Sequence, residues 1–388
     1  MDAAQNFLFP NEMHIYWTVM IVLYPYITGM VAGAFIVSSF YHVFGMEKLK
    51  PIAKYALVSS LAFLLFATVP LLNHLGKPER AFNIMLTPNF NSAMSGFGFV
   101  YAFYMLIVVL EIWFSYRKEF IEKYQQSKGF VKFIYNVLIL GNTNDNPNTR
   151  KYDNKMVVVL GAIGIPVACI LHGYVGFLFG SLKANLWWST PLMFIIFIFS
   201  AIVSGLAVLT FLYLFVHWKR KIKVNQEAID LMSKWLWGFM IIAVTLELME
   251  VLSISYEQTE KWEILQLLIY GKLKVSYIYL QIGLFSIVPF LILSATSLIK
   301  FNNNTRNFLI WLSSGMLLIQ VLLMRWNVVI GGQLVSKSMR GFTEYFPLWF
   351  DKEGLVVSFL LIFIPFLLLR AFDKIFPFFD KKAVKTTE

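Results

Sequence analysis

The residues able to do chemistry in this chain are few, and nearly all of them stand among apolar neighbours. There are five histidines, His14, His42, His74, His172 and His217, and one cysteine, Cys169. A single thiol excludes a chain-borne Fe–S cluster, which takes about four thiolates. No Walker loop, metal-ligand cluster or nucleophile–base motif is present. Arg325 and Glu250 are ionisable residues that lie within apolar runs at matching depth. Counting from the start of each run, Arg325 lies about 27 Å and Glu250 about 24 Å along its helix. A lone charge at such depth costs at least ~2.5–3.5 kcal/mol in lipid, so an Arg325–Glu250 pair is expected. Either a structural tie between helices or a proton-handling role accounts for it. Glu247 sits one turn deeper than Glu250, and Glu111 lies near the inner end of its own run.

Four of the histidines invite a two-haem reading, one haem per leaflet with two axial ligands each. They fall on four different runs, however, and no run carries two at stacked depths. His42 and His217 adjoin charged segments, Glu47-Lys48 and Lys219-Arg220-Lys221, and are expected to face interfacial water. For His74 and His172 two readings stay open: interfacial side chains bonded to backbone, or groups placed beside a redox ligand.

The elements that must position these residues are membrane helices. Of the 388 residues, 58% are hydrophobic and 14% charged, against roughly 45–50% and about 25% in a soluble domain. This composition excludes a soluble enzyme, a disordered chain and a disulfide scaffold. Nine apolar stretches of spanning length lie near 15–44, 52–73, 94–115, 156–178, 190–216, 234–256, 275–299, 307–330 and 354–372. The fold expected is an all-α integral membrane protein of about nine transmembrane helices. No cleavable leader is expected, since Asp2 and Glu12 are the only charges ahead of the first stretch.

Lysine and arginine set the orientation. With the N-terminus outside and the C-terminus inside, 23 of the 33 basic residues fall in inner segments and nine in outer ones, Arg325 being the remainder. The net charge of +11 thus belongs to the positive-inside rule, and nucleic acid is not an expected partner. One connection, 116–155, is long. It holds a basic amphipathic piece, Lys128–Leu140, suited to the anionic inner leaflet, and a turn-rich inner loop from Gly141 to Asn148. It separates two expected sub-bundles, about 1–115 and 156–388, of one membrane domain covering 1–388. The outer connections gather His, Asn, Gln, Gly, Trp and Arg, so a site is expected near the outer surface. The spacings Gly29…Gly33 and Ser200…Ser204 read as close helix packing.

Four motifs in order resemble the NrfD/PsrC family, the membrane subunits of polysulfide reductase, cytochrome-linked nitrite reductase and related complexes. They are Tyr26-Ile-Thr-Gly29 with Gly33; Asn73-His-Leu-Gly-Lys-Pro-Glu-Arg80 with the Pro-Asn-Phe-Asn-Ser run to Ser92; Tyr174-Val-Gly-Phe-Leu with Trp187-Trp188-Ser-Thr-Pro191 and Ser200; and Arg325-Trp-Asn-Val-Val-Ile-Gly-Gly-Gln333. The last is similar to the longer branch, which includes membrane subunits of quinone-linked hydrogenases and sulfite-metabolising complexes. His74, Lys77 and Gln281 depart from residues common in the family, which are Asp, Arg and Glu, and many members have ten spans.

The resemblance implies a quinone-reactive subunit of the bacterial or archaeal cytoplasmic membrane with no catalytic residue for the terminal substrate. It holds no cofactor covalently or by metal ligation, and quinone, menaquinone in the first instance, is its exchangeable ligand. A ferredoxin-like Fe–S subunit docks on the outer face, over segments 74–93, 181–189 and 331–353. It leads to a catalytic subunit of molybdopterin, haem or hydrogenase type. The expected quinone site comprises Tyr24, His74, Gly76, His172 and Tyr174, with Arg325 and Asn327 close by. Tyr24 is expected about 14 Å below the outer end of its helix, and the two histidines near the surface. Glu247, Glu250, Gln281 and Glu111 are the proton-transfer candidates. A haem b-type anchor and a secondary transporter are the competing readings.

Overall fold

The computed structural model describes residues 14–336, 339 and 341–376. Asp2 and Glu12, Lys337 and Arg340, and the basic residues from Lys381 to Lys385 lie outside the described residues, so the leader reading and part of the charge count do too.

Nine helices among the described residues are long and apolar enough to cross a membrane. Numbered in chain order, they are α1 (Val19–His42), α2 (Glu47–His74), α3 (Ser95–Gln126), α4 (Pro147–Gly180), α5 (Met193–Arg220), α6 (Gln226–Glu257), α7 (Lys274–Leu298), α8 (Asn303–Gly331) and α9 (Leu355–Ile375). The 24 residues of α1 rise about 36 Å, enough for a hydrocarbon core of about 30 Å. Thr18 starts it, its hydroxyl accepting the Met20 N–H at 3.4 Å, as an N-cap residue does. Tyr345 adds a second cap, its hydroxyl accepting the Val19 N–H at 3.1 Å. Burial pushes that hydroxyl above its ordinary pKa, which keeps it a neutral partner.

The charged tails of three helices run further than apolarity alone suggests. The stretch 116–155 is mostly helix: α3 continues to Gln126, Gly129–Leu138 forms the short amphipathic helix, and α4 starts at Pro147. Pro147 at the first turn loses nothing by lacking an N–H. The turn-rich reading holds only for the few residues ahead of it. Likewise α6 begins at Gln226, capped by the Asn225 side chain, which accepts the Ala228 N–H at 3.1 Å.

One helix is unlike the rest. The apolar stretch of α1 is buried throughout, whereas the others keep from a third to nearly four-fifths of theirs on the surface. It packs on α2, α4, α5, α8 and α9. Its closest crossing is with α5, where a Cβ on Gly33 would stand 2.4 Å from the Ala201 carbonyl oxygen and one on Gly205 2.3 Å from the Gly33 backbone. Glycine at both positions is therefore a steric requirement. One large apolar core runs from α1 to the end of α9, with a smaller cluster of Val19, Met20, Leu23 and Leu361 beside it, so helices on either side of 116–155 share a core.

The two ends of the bundle differ. One holds Trp17, His74, Trp188, Gln333 and Glu353; it is called the Trp17 end below. The other is lysine-rich and is tied by Lys54–Glu119, Arg117–Asp153, Arg220–Asp373 and Arg306–Asp230 pairs.

Candidate functional site

Polar residues in the bundle sort into four groups, because depth along a helix and direction around it are separate coordinates. Arg325, in the last turn of α8 before its π-helical end, is fully buried. Its Nη2 lies 3.0 Å from His172 Nε2 on α4 and donates to Ser200 Oγ on α5 at 2.5 Å. The guanidinium lies 3.7 Å from the centre of the Phe197 ring, a cation–π arrangement. Among the described residues no carboxylate lies within ion-pair distance of it. The expected Arg325–Glu250 pair is thus not formed. Equal depth suggested it, but the two side chains leave their helices in different directions.

The arginine also decides the state of His172. A guanidinium only donates, so Nε2 must accept, and the ring proton belongs on Nδ1. That Nδ1 is buried and has no partner. Nor is His172 near the surface, as expected: it is 1% exposed. The space for its ring comes from Gly29, where a Cβ would stand 3.3 Å from His172 Cε1.

The second group faces the other way from α8. Ser276 Oγ donates to Asn327 Oδ1 at 2.7 Å, Asn327 Nδ2 to Gln281 Oε1 at 2.7 Å, and Gln281 Nε2 to Glu247 Oε2 at 2.9 Å. Gln320 Nε2 donates to the same Glu247 oxygen at 3.4 Å. Glu247 Oε1 and Glu250 Oε1 are buried and unpaired. Both glutamates, with Asn327, Gln281 and Tyr277, line a cavity of about 10 Å³, near the smallest that holds a water. Gln281 and Asn327 both sit in π-helical turns, Lys274–Ile287 and Asn327–Gly331, a geometry that often marks functional positions. Asn327, expected beside the quinone, bonds Gln281 and lines this cavity with Glu247 and Glu250.

Tyr24 forms the third group. It lies five residues before Gly29, about 140° around the helix, so it turns to α3 while Gly29 turns to His172. Its ring meets Phe97 edge-on at 5.5 Å, and its buried hydroxyl has no partner, like that of Ser95 nearby in sequence to Phe97. Tyr174 approaches the same start of α3: its hydroxyl donates to the Ala93 carbonyl and a Cβ on Gly96 would stand 2.6 Å from it. The fourth group is at the surface of the Trp17 end. His74 Nδ1 donates to Glu353 Oε2 at 2.8 Å, and the Thr18 hydroxyl bonds the same oxygen. Gly76 is exposed, with nothing within 4 Å of where its Cβ would be.

At the lysine-rich end, Glu111 is buried with His42 Nδ1 3.5 Å away, apart from the other three proton-transfer candidates. Neither His42 nor His217 faces water as expected. The His42 side chain is 9% exposed, and His217 is buried, its Nδ1 2.8 Å from the Tyr213 carbonyl oxygen.

The last motif is largely architectural. The π-helical end of α8 frees carbonyls, which Trp188 and Asn185 meet: Trp188 Nε1 donates to Val328 O at 2.6 Å and Asn185 Nδ2 to Gly332 O at 2.8 Å. The Gln333 amide grips the Trp17 backbone, donating to its carbonyl at 2.9 Å and accepting its N–H at 3.1 Å. Trp187 and Trp188 are buried, so within segment 181–189 these two side chains brace the bundle. Exposed aromatics of the Trp17 end come instead from Phe82 and Phe90 and from Phe346, Trp349 and Phe350. Ser200, Phe197 and Glu353 were not foreseen as site residues. Ser200 reads as packing because its spacing to Ser204 is that of a small-residue stripe.

The family description "Polysulphide reductase, NrfD" matches residues 9–337. The chain is 31% identical over 369 residues to a selenate reductase subunit of Mesobacillus selenatarsenatis, covering 89% of this chain and 84% of that one. It is 26% identical over 197 residues to a Halobacterium salinarum protein assigned as a dimethyl sulfoxide reductase membrane subunit, covering 50% of this chain and 42% of that one.

Proposed function

Because the chain belongs to the polysulphide reductase NrfD family, we propose that it is the quinone-reactive membrane subunit of a respiratory oxidoreductase complex. It exchanges electrons between membrane quinone and a peripheral ferredoxin-like Fe–S subunit, which leads to the catalytic subunit. The relatives it resembles are themselves named as reductase subunits. The reading places the Trp17 end outside and the lysine-rich end in the cytoplasm, as the positive-inside rule favours. The exposed Phe82, Phe90, Phe346, Trp349 and Phe350 are the surface for the Fe–S subunit, since aromatic residues are enriched at protein interfaces.

The observation that carries the reading is a set of buried polar groups without partners: the Tyr24 hydroxyl, the Ser95 hydroxyl and His172 Nδ1. Buried donors are normally paired, and quinone carbonyl oxygens accept. These residues therefore fit the group. Quinone, when bound, takes up or gives back two electrons and two protons. Tyr24 would hold one end of it beside Phe97, and His172 would donate to the other from its Nδ1–H. Arg325 keeps His172 in that tautomer and supplies a fixed positive charge without being consumed. The Ser276–Asn327–Gln281–Glu247 chain, with Glu250 across the small cavity, would hold and pass protons.

The test is quinone-linked turnover of Tyr24→Phe and His172→Ala in the intact complex, with an artificial donor to the catalytic subunit as control. Losing one hydrogen bond to a buried carbonyl costs on the order of 0.5–1.5 kcal/mol in binding, and more in rate where the donor also supplies a proton. Both variants should fall at limiting quinone with the control unchanged. Full quinone activity in both would remove the site from this place. A reduced-minus-oxidised spectrum showing haem bound to this subunit would favour the anchor reading.

A further inference from the structure

A roomy cleft lies far from these groups, at the lysine-rich end, between the last turn of α5 and the first turns of α8. Its volume is about 1010 Å³, at the upper limit of roughly 300–1,000 Å³ usual for small-molecule pockets. Its walls are aromatic: Phe215 and Trp218 from α5, Phe308 and Trp311 from α8. Trp311 is held by stacking on Phe211 at 4.9 Å. Lys221 and Lys223 stand at the cleft, exposed, and no carboxylate is among its lining residues. Among the described residues neither lysine is in an ion pair, although Arg220 and Arg306 nearby are.

Three buried polar atoms of this lining have no partner: Gln226 Oε1, Asn307 Oδ1 and Trp311 Nε1. Three such atoms in one cleft are not expected by chance, since the large majority of buried polar groups are bonded. Two of them accept and one donates. An occupant that reached them would offer hydroxyl or ammonium protons to the two amide oxygens and an oxygen to the indole N–H. It must also carry negative charge for the two lysines and have an apolar body for the aromatic walls.

We propose that this cleft holds one anionic phospholipid with a hydroxyl-bearing headgroup, of the phosphatidylglycerol class. Its phosphodiester faces Lys221, Lys223 and the Trp311 N–H. Its headgroup hydroxyls donate to Gln226 and Asn307, and its acyl chains lie along Phe215, Trp218 and Phe308. A zwitterionic lipid supplies donors but no net charge. Inorganic phosphate supplies charge but leaves the aromatic walls uncovered. Neighbouring lysines and arginines are known to draw anionic headgroups to this side of a membrane.

Native mass spectrometry of the detergent-solubilised protein with phosphatidylglycerol, phosphatidylethanolamine or inorganic phosphate tests this. Phosphatidylglycerol should be retained, with a rise in Tm that neither other probe produces. The double variant Lys221→Gln/Lys223→Gln, on the surface and without packing cost, should weaken retention on the order of 10-fold or more. Trp311→Phe keeps the stack on Phe211 and should weaken it several-fold by removing the N–H. Equal retention of both lipids, undiminished by the lysine variant, overturns the proposal. So does a Tm rise matched by inorganic phosphate alone. Quinone-linked turnover is not the readout, so the result stands apart from the redox reading.

Discussion

Arg325 and Asn327 stand two residues apart on α8 and point roughly 200° away from one another, one toward α4 and α5, the other toward α6 and α7. On the first side a buried cation is held by neutral partners, His172, Ser200 and the face of Phe197. On the second, Glu247 is held by neutral amides of Gln281 and Gln320. The bundle thus keeps its deep positive and negative groups apart, though joining them would relieve both. Removing one partner from a direct buried ion pair strands the other charge. Separate neutral cradles let each charge be present or absent without stranding its opposite.

Breaking the cation side should have the largest effect. Arg325→Met removes the charge and leaves His172 free to adopt either tautomer. Quinone-linked turnover should fall on the order of 100-fold, the size of a lost positioned electrostatic partner, with the helical melt little changed. A variant that turns over normally would mean that the cluster is only a bundle tie. On the carboxylate side, Glu247→Gln preserves shape and the chance of hydrogen bonding but not the titrating proton. Turnover should drop about 10-fold and lose most of its solvent deuterium sensitivity; no change in either would exclude Glu247 from the proton route.

The two together sharpen the comparison. In a double-mutant cycle of Arg325→Met with Glu247→Gln, the effects on unfolding free energy should add to within about 0.5 kcal/mol, as sites without shared partners do. A larger coupling would show that the charges interact through the core after all. The smallest effect belongs to the surface. His74→Ala breaks the clasp between α2 and α9, costing about 0.5–1.5 kcal/mol of stability, readable as a lower Tm, with turnover kept near that of the unaltered protein. A collapse of quinone turnover would return His74 to the quinone site.

What could be read from the sequence follows the same division. Helix number and extent depend on length and apolarity, which are properties of the chain alone, so nine spans were legible. Their charged extensions, such as α3 beyond residue 116, were not, because hydropathy falls where a helix leaves lipid but hydrogen bonding does not. That some charges are enclosed was also legible: Arg325, Glu247 and Glu250 are all buried. Direction was not. Choosing His172 over Glu250 as the partner of Arg325 depends on how α4, α5 and α6 are arranged around α8, and no spacing within α8 records that. The role of the pair Trp187-Trp188 was not legible for a related reason. An exposed tryptophan and one that meets the loose carbonyls of a π-helical turn look alike in sequence.

The complete enclosure of α1 bears on how the protein is made. This helix is synthesised before the eight that surround it, and in its apolar stretch it is buried throughout. On leaving the insertion machinery it must first rest against lipid, which its mean hydropathy of 1.9 permits. It is then wrapped stepwise, by α2 at once and by α4, α5, α8 and α9 only as translation proceeds. The Thr18–Glu353 bond, which joins the start of α1 to the approach to α9, cannot form until the first eight spans have been made. Premature termination after α5 would release a bundle whose central helix is bare along the strip meant for α8 and α9, a substrate for membrane quality-control proteases.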